Sequence, residues 1–201
     1  MSSLTLEPVP ATVLDSEALF EIIDDQIVEL PPMGVRSSLI TNVLGVALIN
    51  FVSAKGLGKA LIEMLFQINP NRQRRPDIAF VSVDRWPIDA ELPDDAAWNV
   101  VPNLVVEVVS PNDHFYDVLS KLREYFQNGV EQAWVVVPSE RLIYIYDSVT
   151  SVLILDEASE LDGGAILPGF RVRVAEIFPK IVRGSLDFAS STRQGSTFAT
   201  G

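Results

Sequence analysis

Cysteine is absent from the 201 residues of the chain, so the protein forms no disulfide and has no thiolate to act as a nucleophile or metal ligand. Histidine occurs once. The sequence also lacks the Gly-X-Ser-X-Gly element of many serine hydrolases, the Cys/His spacing of zinc sites and a glycine-rich phosphate loop. These absences argue against several common kinds of catalytic site and leave the redox compartment open.

Positive charge is scarce. The chain has 15 Lys and Arg against 27 Asp and Glu, a formal net charge of -12. A general nucleic-acid binder would show a basic surface, so the composition argues against that class. It does not exclude a protein with a locally basic cleft or with a bound metal that contributes positive charge.

Long hydrophobic runs are also missing. The longest apolar stretch, Leu39 to Val52, is interrupted by Thr41, Asn42 and Asn50, which makes it too short and too polar to span a bilayer. The N-terminus lacks a basic region followed by an apolar core, so no signal peptide is predicted. We therefore expect a cytoplasmic protein without a membrane partner.

The length suits one domain with a sizeable core, and 48% hydrophobic with 21% charged residues is an ordinary globular mixture. Residues 1–15, with Pro8 and Pro10, are predicted to be a loose entry segment. Residues 16–189 are predicted to form the domain. The small, polar residues 190–201 are predicted to be a disordered tail.

Hydrophobic periodicity and turn residues predict both helices and strands, which gives an α/β or α+β domain. Residues 84–102 are predicted to form a long acidic loop. The predicted elements are a hairpin at 20–30 turning at Asp24-Asp25, a helix from Ser37 or Ser38 to Lys55, strands at Ala60–Ile68, Asp77–Val83 and Leu104–Val109, a helix over Asn112–Gln127 that starts at Ser110-Pro111, strands at 133–137, 142–146, 151–155 and 171–174, and a closing turn at 175–179.

Two of the apolar runs each carry one carboxylate. Asp77 stands at the head of Ile78–Val83, and Glu107 lies inside Leu104–Val109. An ionised carboxylate in such a run costs several kcal/mol unless a cation or hydrogen-bond donors meet it. Two acids on neighbouring strands are therefore candidates for a hard-cation site.

At these residues the chain resembles the PD-(D/E)XK nuclease superfamily and, within it, the Uma-type restriction endonuclease family. Pro76-Asp77 matches the PD element, and Glu107-Val108-Val109 matches (D/E)-X-K except that Val109 replaces the lysine. In the Uma-type branch the lysine is displaced onto the following helix, where Lys121 matches. Further matches are Tyr125, Asn128-Gly129-Val130, Trp134 and Leu167-Pro168-Gly169-Phe170.

The resemblance implies a restriction-endonuclease-like fold, a mixed β-sheet flanked by helices, and a DNA endonuclease that depends on Mg²⁺ or Mn²⁺. Asp77 and Glu107 would be metal ligands, with the Val108 carbonyl as a third. Lys121 would orient the attacking water or stabilise the transition state. DNA and a second copy of the chain, forming a homodimer, would be partners. The alternative is a catalytically weak or inactive binding or assembly module with this fold.

The chain departs from the branch at one place. The branch often has a histidine at the start of its first long helix, where this chain reads Val35-Arg36-Ser37-Ser38. His114, the single histidine, is more typical of a solvent-facing position near a helix start, because nothing pairs it with a nucleophile. We therefore assign it no catalytic role.

Each site residue also has an ordinary structural interpretation. Lys121 could form a surface ion pair with Asp117 or Glu124, Asp77 could serve turn chemistry after Pro76, and Glu107 could face solvent at a sheet edge. Two further groups stay open: Glu63 and the weaker Glu29 as extra acids or outward-facing strand residues, and the cluster Arg72, Arg74 and Arg75 as phosphate contacts or a solubilising run. Tyr125 and Trp134 are predicted to be core residues.

Overall fold

The computed structural model describes residues 18–110 and 113–179. Over these ranges the chain is an α+β protein. Its strands are β1 (Phe20–Ile23), β2 (Gln26–Glu29), β3 (Gly58–Ile62), β4 (Phe66–Asn69), β5 (Arg72–Arg74), β6 (Ile78–Ser82), β7 (Leu104–Val108), β8 (Gln132–Val137), β9 (Leu142–Ser148), β10 (Ser151–Leu155), β11 (Glu160–Asp162) and β12 (Arg171–Arg173). Its helices are α1 (Val35–Lys55), α2 (Phe115–Gln127) and α3 (Val174–Ile177).

The larger sheet has six strands in the order β10-β9-β8-β7-β6-β3. Its neighbours pair antiparallel except β7 and β8, which run parallel with α2 between them in sequence. A parallel pair requires a crossover connection, and a helix is the usual one. The predicted mixed sheet flanked by helices is confirmed, and the strand that carries Glu107 lies in its interior.

A four-stranded sheet in the order β2-β1-β5-β4 lies beside it. Asp24 and Asp25 have φ values of 51° and 62° and form the two-residue turn of the β1–β2 hairpin, as the sequence predicted. Strand β1 also pairs antiparallel with β5. This pairing brings the side chains of the N-terminal hairpin next to the arginines of β5.

Alternate residues of the central strands face two separate cores. Val106 and Val108 of β7 belong to the core under α1, whereas Val105 belongs to the core under α2. Glu107 follows the same alternation. Its side chain therefore lies on the face of the sheet that α2 covers.

Helix α1 begins at Val35 with Gly34 as its N-cap, so the predicted serine cap was wrong. An 18-residue window of this 21-residue helix has a mean hydropathy of 1.6, and by length and composition alone the helix could cross a bilayer, contrary to the expectation from the sequence. One face is buried in the core through Ile40, Leu44 and Leu48. A helix with one face buried in this way is typical of the core of a folded domain. The helix ends at Gly56 in the left-handed region, as predicted.

Two predicted elements differ in the structure. The predicted strand Ala60–Ile68 is two strands in different sheets, because Glu63 has a φ of 51° and turns the chain between β3 and β4. The predicted closing turn is replaced by the short helix α3, which begins at Val174. Strands β5 and β11 were not predicted.

The predicted start of the second long helix was also wrong. Asp113 Oδ2 accepts the Ser110 N–H at 2.7 Å, the acid-to-cap contact expected of a helix start. The continuous helix α2 nevertheless begins only at Phe115, with His114 at the N-cap. Pro111 and Asn112, together with residues 1–15 and 190–201, lie outside the described ranges.

Candidate active site

Asp77, Glu107 and Lys121 line one cavity of about 140 Å³. They come from the segment before β6, from β7 and from α2. The remaining wall includes the apolar stretch 30–33, which directly precedes α1. The structure thus brings together the three side chains that the sequence singled out.

Glu107 lies in an interior strand, so the solvent-facing edge interpretation was wrong. Its side chain is 13% exposed. Its two carboxylate oxygens have different donors: the Tyr125 hydroxyl donates to Oε1 at 2.7 Å, and Lys121 Nζ donates to Oε2 at 3.3 Å. The carboxylate is therefore held at both oxygens while it faces the cavity.

Lys121 is bound to acids from two other elements. Its Nζ lies 3.3 Å from Glu107 Oε2 and 3.5 Å from Glu21 Oε1. The predicted alternative, a surface ion pair with Asp117 or Glu124, is wrong for the described residues. The ammonium instead points to the sheet, because α2 packs over the face that carries Glu107.

Asp77 is fixed by the backbone of the neighbouring strand. Its Oδ2 accepts the Val108 N–H at 2.5 Å, and its carbonyl accepts the Glu63 N–H at 3.0 Å. The hydrogen bond from the Val108 N–H places the Asp77 carboxylate beside β7, next to Glu107. Asp77 is therefore more than the turn residue of the alternative interpretation.

The two carboxyls resist ionisation together. Burial, and then the negative charge of Glu107, raise the pKa of Asp77 from 3.8 to about 8. Burial also raises the pKa of Glu107, although Lys121 and the Tyr125 hydroxyl oppose the rise. The positive charge within reach is thus insufficient to keep both acids ionised at neutral pH.

Their neighbours respond to the same charges. Burial alone would lower the pKa of Lys121, but the carboxylates of Glu107, Glu21 and Asp77 raise it above its ordinary value. Burial, followed by the charge of Glu107, raises the pKa of Tyr125 well above its ordinary value. Lys121 is therefore a cation and Tyr125 a neutral hydrogen-bond donor over the physiological range.

Arg72, Arg74 and Arg75 do not act together as phosphate contacts or as a solubilising run, the two predicted alternatives. Arg74 is 5% exposed and its guanidinium binds Glu21 and Glu124, so it cannot contact phosphate or act as a solubilising residue. Arg72 pairs with Asp24 and Glu124. Arg75 lines the cavity, and its guanidinium donates to the Phe20 and Glu63 carbonyls. Of the three arginines, Arg75 alone lines the cavity.

Sequence reasoning missed Glu21 altogether. It is 1% exposed on β1 and contacts Arg74, the Arg75 N–H and Lys121. A single acid between the apolar residues of a strand was the signal that selected Glu107, and the same signal was present at Glu21. Tyr125, predicted only as a core residue, is buried as expected but also supplies the hydroxyl bound to Glu107.

The other candidate residues do not line the cavity. His114 is exposed at the start of α2, and Glu29 is exposed on β2. Trp134 is fully buried, as predicted. Glu63 adds negative charge near Asp77 but does not line the cavity.

Within residues 18–110 and 113–179, no group of three Asp, Glu, His or Cys side chains is arranged to hold a metal ion. The cavity offers two hard carboxylates, Asp77 and Glu107, whose mutual repulsion a divalent cation would relieve. Mg²⁺ keeps several waters and is bound through one or two carboxylates, so this donor set fits Mg²⁺.

The chain is similar to known proteins in sequence and in structure. The sequence model of a family described as "Uma2: Putative restriction endonuclease" matches residues 7–175. A solved structure similar to this chain is "a putative nuclease belonging to DUF820 from Anabaena variabilis ATCC 29413", with a TM-score of 0.70 and 17% identity. The alignment covers 81% of this chain and 91% of that chain. No curated protein matches. The structural likeness confirms the predicted nuclease-like fold.

Proposed function

The chain belongs to the Uma2 family, described as putative restriction endonucleases, and we propose that it is a Mg²⁺-dependent endonuclease that hydrolyses phosphodiester bonds of DNA. One observation carries the proposal: Asp77, Glu107 and Lys121, from three separate elements, line the same cavity. Mn²⁺ would serve the same oxygen ligands.

Asp77 and Glu107 would hold the metal, with the Val108 carbonyl as the third protein ligand. A bound Mg²⁺ would polarise the scissile phosphate and lower the pKa of a metal-bound water. The raised pKa values of both acids support this assignment, because a cation stabilises their ionised forms.

Lys121 would act on the substrate side of the site. Its ammonium is held beside Glu107 and remains charged, so it can donate to the attacking water or to the developing negative charge on phosphate oxygens. The Tyr125 hydroxyl fixes the other oxygen of Glu107. These contacts orient the acid before any ligand binds.

The charge of the cavity bears on DNA binding. Its lining carries four acids, Asp77, Glu107, Asp113 and Asp117, against the two bases Arg75 and Lys121. A phosphate would be repelled from such a cavity until a divalent cation offsets the acids. We therefore expect DNA to bind productively only when the cation is present.

Nicking of supercoiled plasmid in Mg²⁺ and in Mn²⁺ tests the proposal. Wild-type protein should convert supercoiled DNA to the nicked form, and Glu107→Gln and Lys121→Ala should each reduce the rate by at least about 100-fold. Glu29→Gln, which makes the same charge change at an exposed acid of β2, should leave the rate unchanged. Equal activity in wild type and Glu107→Gln would remove the assigned site.

A non-catalytic binding or assembly module is the second candidate. The observation that favours it is the excess of acids over bases around the cavity. Such a module need show no carboxylate-dependent binding of Mg²⁺. Wild-type protein that neither nicks DNA nor binds Mg²⁺ in calorimetry would support this candidate over the enzyme.

A further inference from the structure

Glu21 connects two parts of the site without lining the cavity. Its Oε1 accepts the backbone N–H of Arg75 at 3.0 Å, two residues before Asp77, and lies 3.5 Å from Lys121 Nζ. Its Oε2 accepts Arg74 Nη1 at 2.7 Å. One carboxylate on β1 thus contacts both the segment that carries Asp77 and the helix residue that carries the ammonium.

We propose that Glu21 is a positioning residue that holds Lys121 over the cavity. This inference rests on the proposed function and deepens it, because it assigns a role to a residue outside the Asp77, Glu107 and Lys121 set. Glu21 touches neither substrate nor metal in this assignment. It acts through Lys121.

The need for a second anion follows from the charges. Glu107 is the other acid bound to Lys121, but it is also a proposed metal ligand, and a divalent cation beside it would repel the ammonium. Glu21 lies outside the cavity and is not a proposed metal ligand. Glu21 would therefore keep Lys121 in place when a metal ion binds the oxygens of Glu107.

The buried carboxylate of Glu21 is itself supported by a guanidinium. Arg74 binds Glu21 through Nη1 and Glu124 through Nε and Nη2, so its charge is shared between a strand acid and a helix acid. Buried ion pairs are stable when their remaining donors and acceptors are also hydrogen-bonded. The Arg74 contacts give Glu21 a fixed geometry from which to orient Lys121.

The first test measures the position of Lys121 without reference to activity. Acylation of lysines by N-hydroxysuccinimide acetate, followed by mass spectrometry, compares Lys121 with the exposed Lys55 as an internal reference. Glu21→Gln should raise the labelling of Lys121 relative to Lys55 by about threefold or more, because one of its two ion pairs is lost. Unchanged relative labelling would overturn the proposal.

The matched control is Glu124→Gln. It removes the same charge from the same Arg74 network, but Glu124 has no ion pair with Lys121. Both variants should lower the midpoint of thermal unfolding. Only Glu21→Gln should change the labelling of Lys121, and an equal change in both variants would show a merely structural role.

Kinetics supply the second readout. Glu21→Gln should lower kcat of DNA cleavage by about tenfold, equivalent to about 1.4 kcal/mol of barrier, with KM little changed. Glu124→Gln should keep kcat near the wild-type value. If wild-type protein cleaves no DNA, the proposed function fails, while the labelling experiment still decides the role of Glu21.

Should Glu21→Gln fail to fold, Glu21→Asp replaces it. Aspartate keeps the charge beside Arg74 but withdraws the carboxylate by one bond, about 1.5 Å. The same rise in Lys121 labelling is expected, and labelling equal to that of wild type would again overturn the proposal.

Discussion

The hydroxyl of Tyr125 donates a hydrogen bond of 2.7 Å to Oε1 of Glu107. Lys121 lies four residues earlier on the same helix and reaches Oε2 of the same carboxylate at 3.3 Å. Residues four apart lie on one face of a helix, so α2 holds both oxygens of the acid. The orientation of Glu107 is therefore set by the packing of α2 against β7.

Removing this hydroxyl should weaken both the fold and the site. Tyr125→Phe keeps the buried ring but leaves one oxygen of Glu107 without its donor, which should reduce the free energy of unfolding by about 1–3 kcal/mol. The affinity for Mg²⁺ should fall by about tenfold, because groups that orient a metal ligand contribute on this scale. Urea unfolding and calorimetry measure the two effects.

The control for this variant is Tyr144→Phe. Tyr144 is half-buried on β9 and does not line the cavity. Removing the Tyr144 hydroxyl should leave the Mg²⁺ affinity unchanged. A Tyr125→Phe protein that binds Mg²⁺ as tightly as wild type would contradict the role given to the hydroxyl.

The raised pKa of Asp77 makes the stability of the metal-free protein depend on pH. Between its ordinary value of 3.8 and about 8, the folded state keeps the proton on Asp77 while the unfolded state has lost it. The folded state then binds more protons, so the free energy of unfolding falls as pH rises through this range. Urea unfolding at pH 5 and pH 8 in the presence of EDTA should show the decrease.

Asp77→Asn isolates the contribution of this carboxyl. Asparagine is neutral at both pH values and keeps an oxygen to accept the Val108 N–H. The variant should lose less stability than wild type between pH 5 and pH 8, although Glu107 retains its own dependence. A pH dependence identical to that of wild type would show that Asp77 titrates normally in the folded protein.

The arginines of β5 should differ in their effect on stability. Arg74→Met leaves the buried carboxylates of Glu21 and Glu124 short of a partner and should cost about 3–5 kcal/mol of unfolding free energy. Arg72→Met breaks an exposed pair with Asp24 and a partly buried pair with Glu124, but Glu124 keeps Arg74 as a partner, so the loss should be smaller, about 1 kcal/mol. Urea denaturation compares them, and equal losses would contradict the buried network.

An acid at the rim of the cavity should oppose DNA binding. Asp117 is exposed, lines the cavity and makes no ion pair among the described residues. Asp117→Asn should therefore lower KM for DNA by about threefold at low salt, with a smaller effect at high salt. Asp89→Asn makes the same charge change in an exposed loop residue outside the lining. An equal gain in both variants would reflect net charge alone.

Local sequence signals were enough to select Asp77, Glu107 and Lys121. Each acid interrupts or heads an apolar run, and the resemblance to a nuclease superfamily placed the lysine on the next helix. The structure puts the three in one cavity. The β1–β2 hairpin was predicted correctly for a similar reason, because its two strands and the Asp24-Asp25 turn lie within the continuous segment 20–30.

Contacts between segments far apart in the chain could not be predicted from local sequence patterns. Glu21 meets Arg74 and Lys121 only because β1 pairs with β5 and α2 packs beside them, at separations of 53 and 100 residues along the chain. The break within Ala60–Ile68 was also hidden, since Glu63 adopts a φ of 51° that sequence patterns assign to glycine. Tertiary structure, not local preference, decides these features.

Calorimetric titration with Mg²⁺ at pH 8, near the pKa of Asp77, tests the central claim most directly. Wild-type protein should bind the ion, and Asp77→Asn and Glu107→Gln should each weaken binding by at least about tenfold, while Glu29→Gln binds as wild type does. Mg²⁺ affinity that is the same in all four proteins, or absent from the wild type, would contradict a metal site built on these two carboxylates.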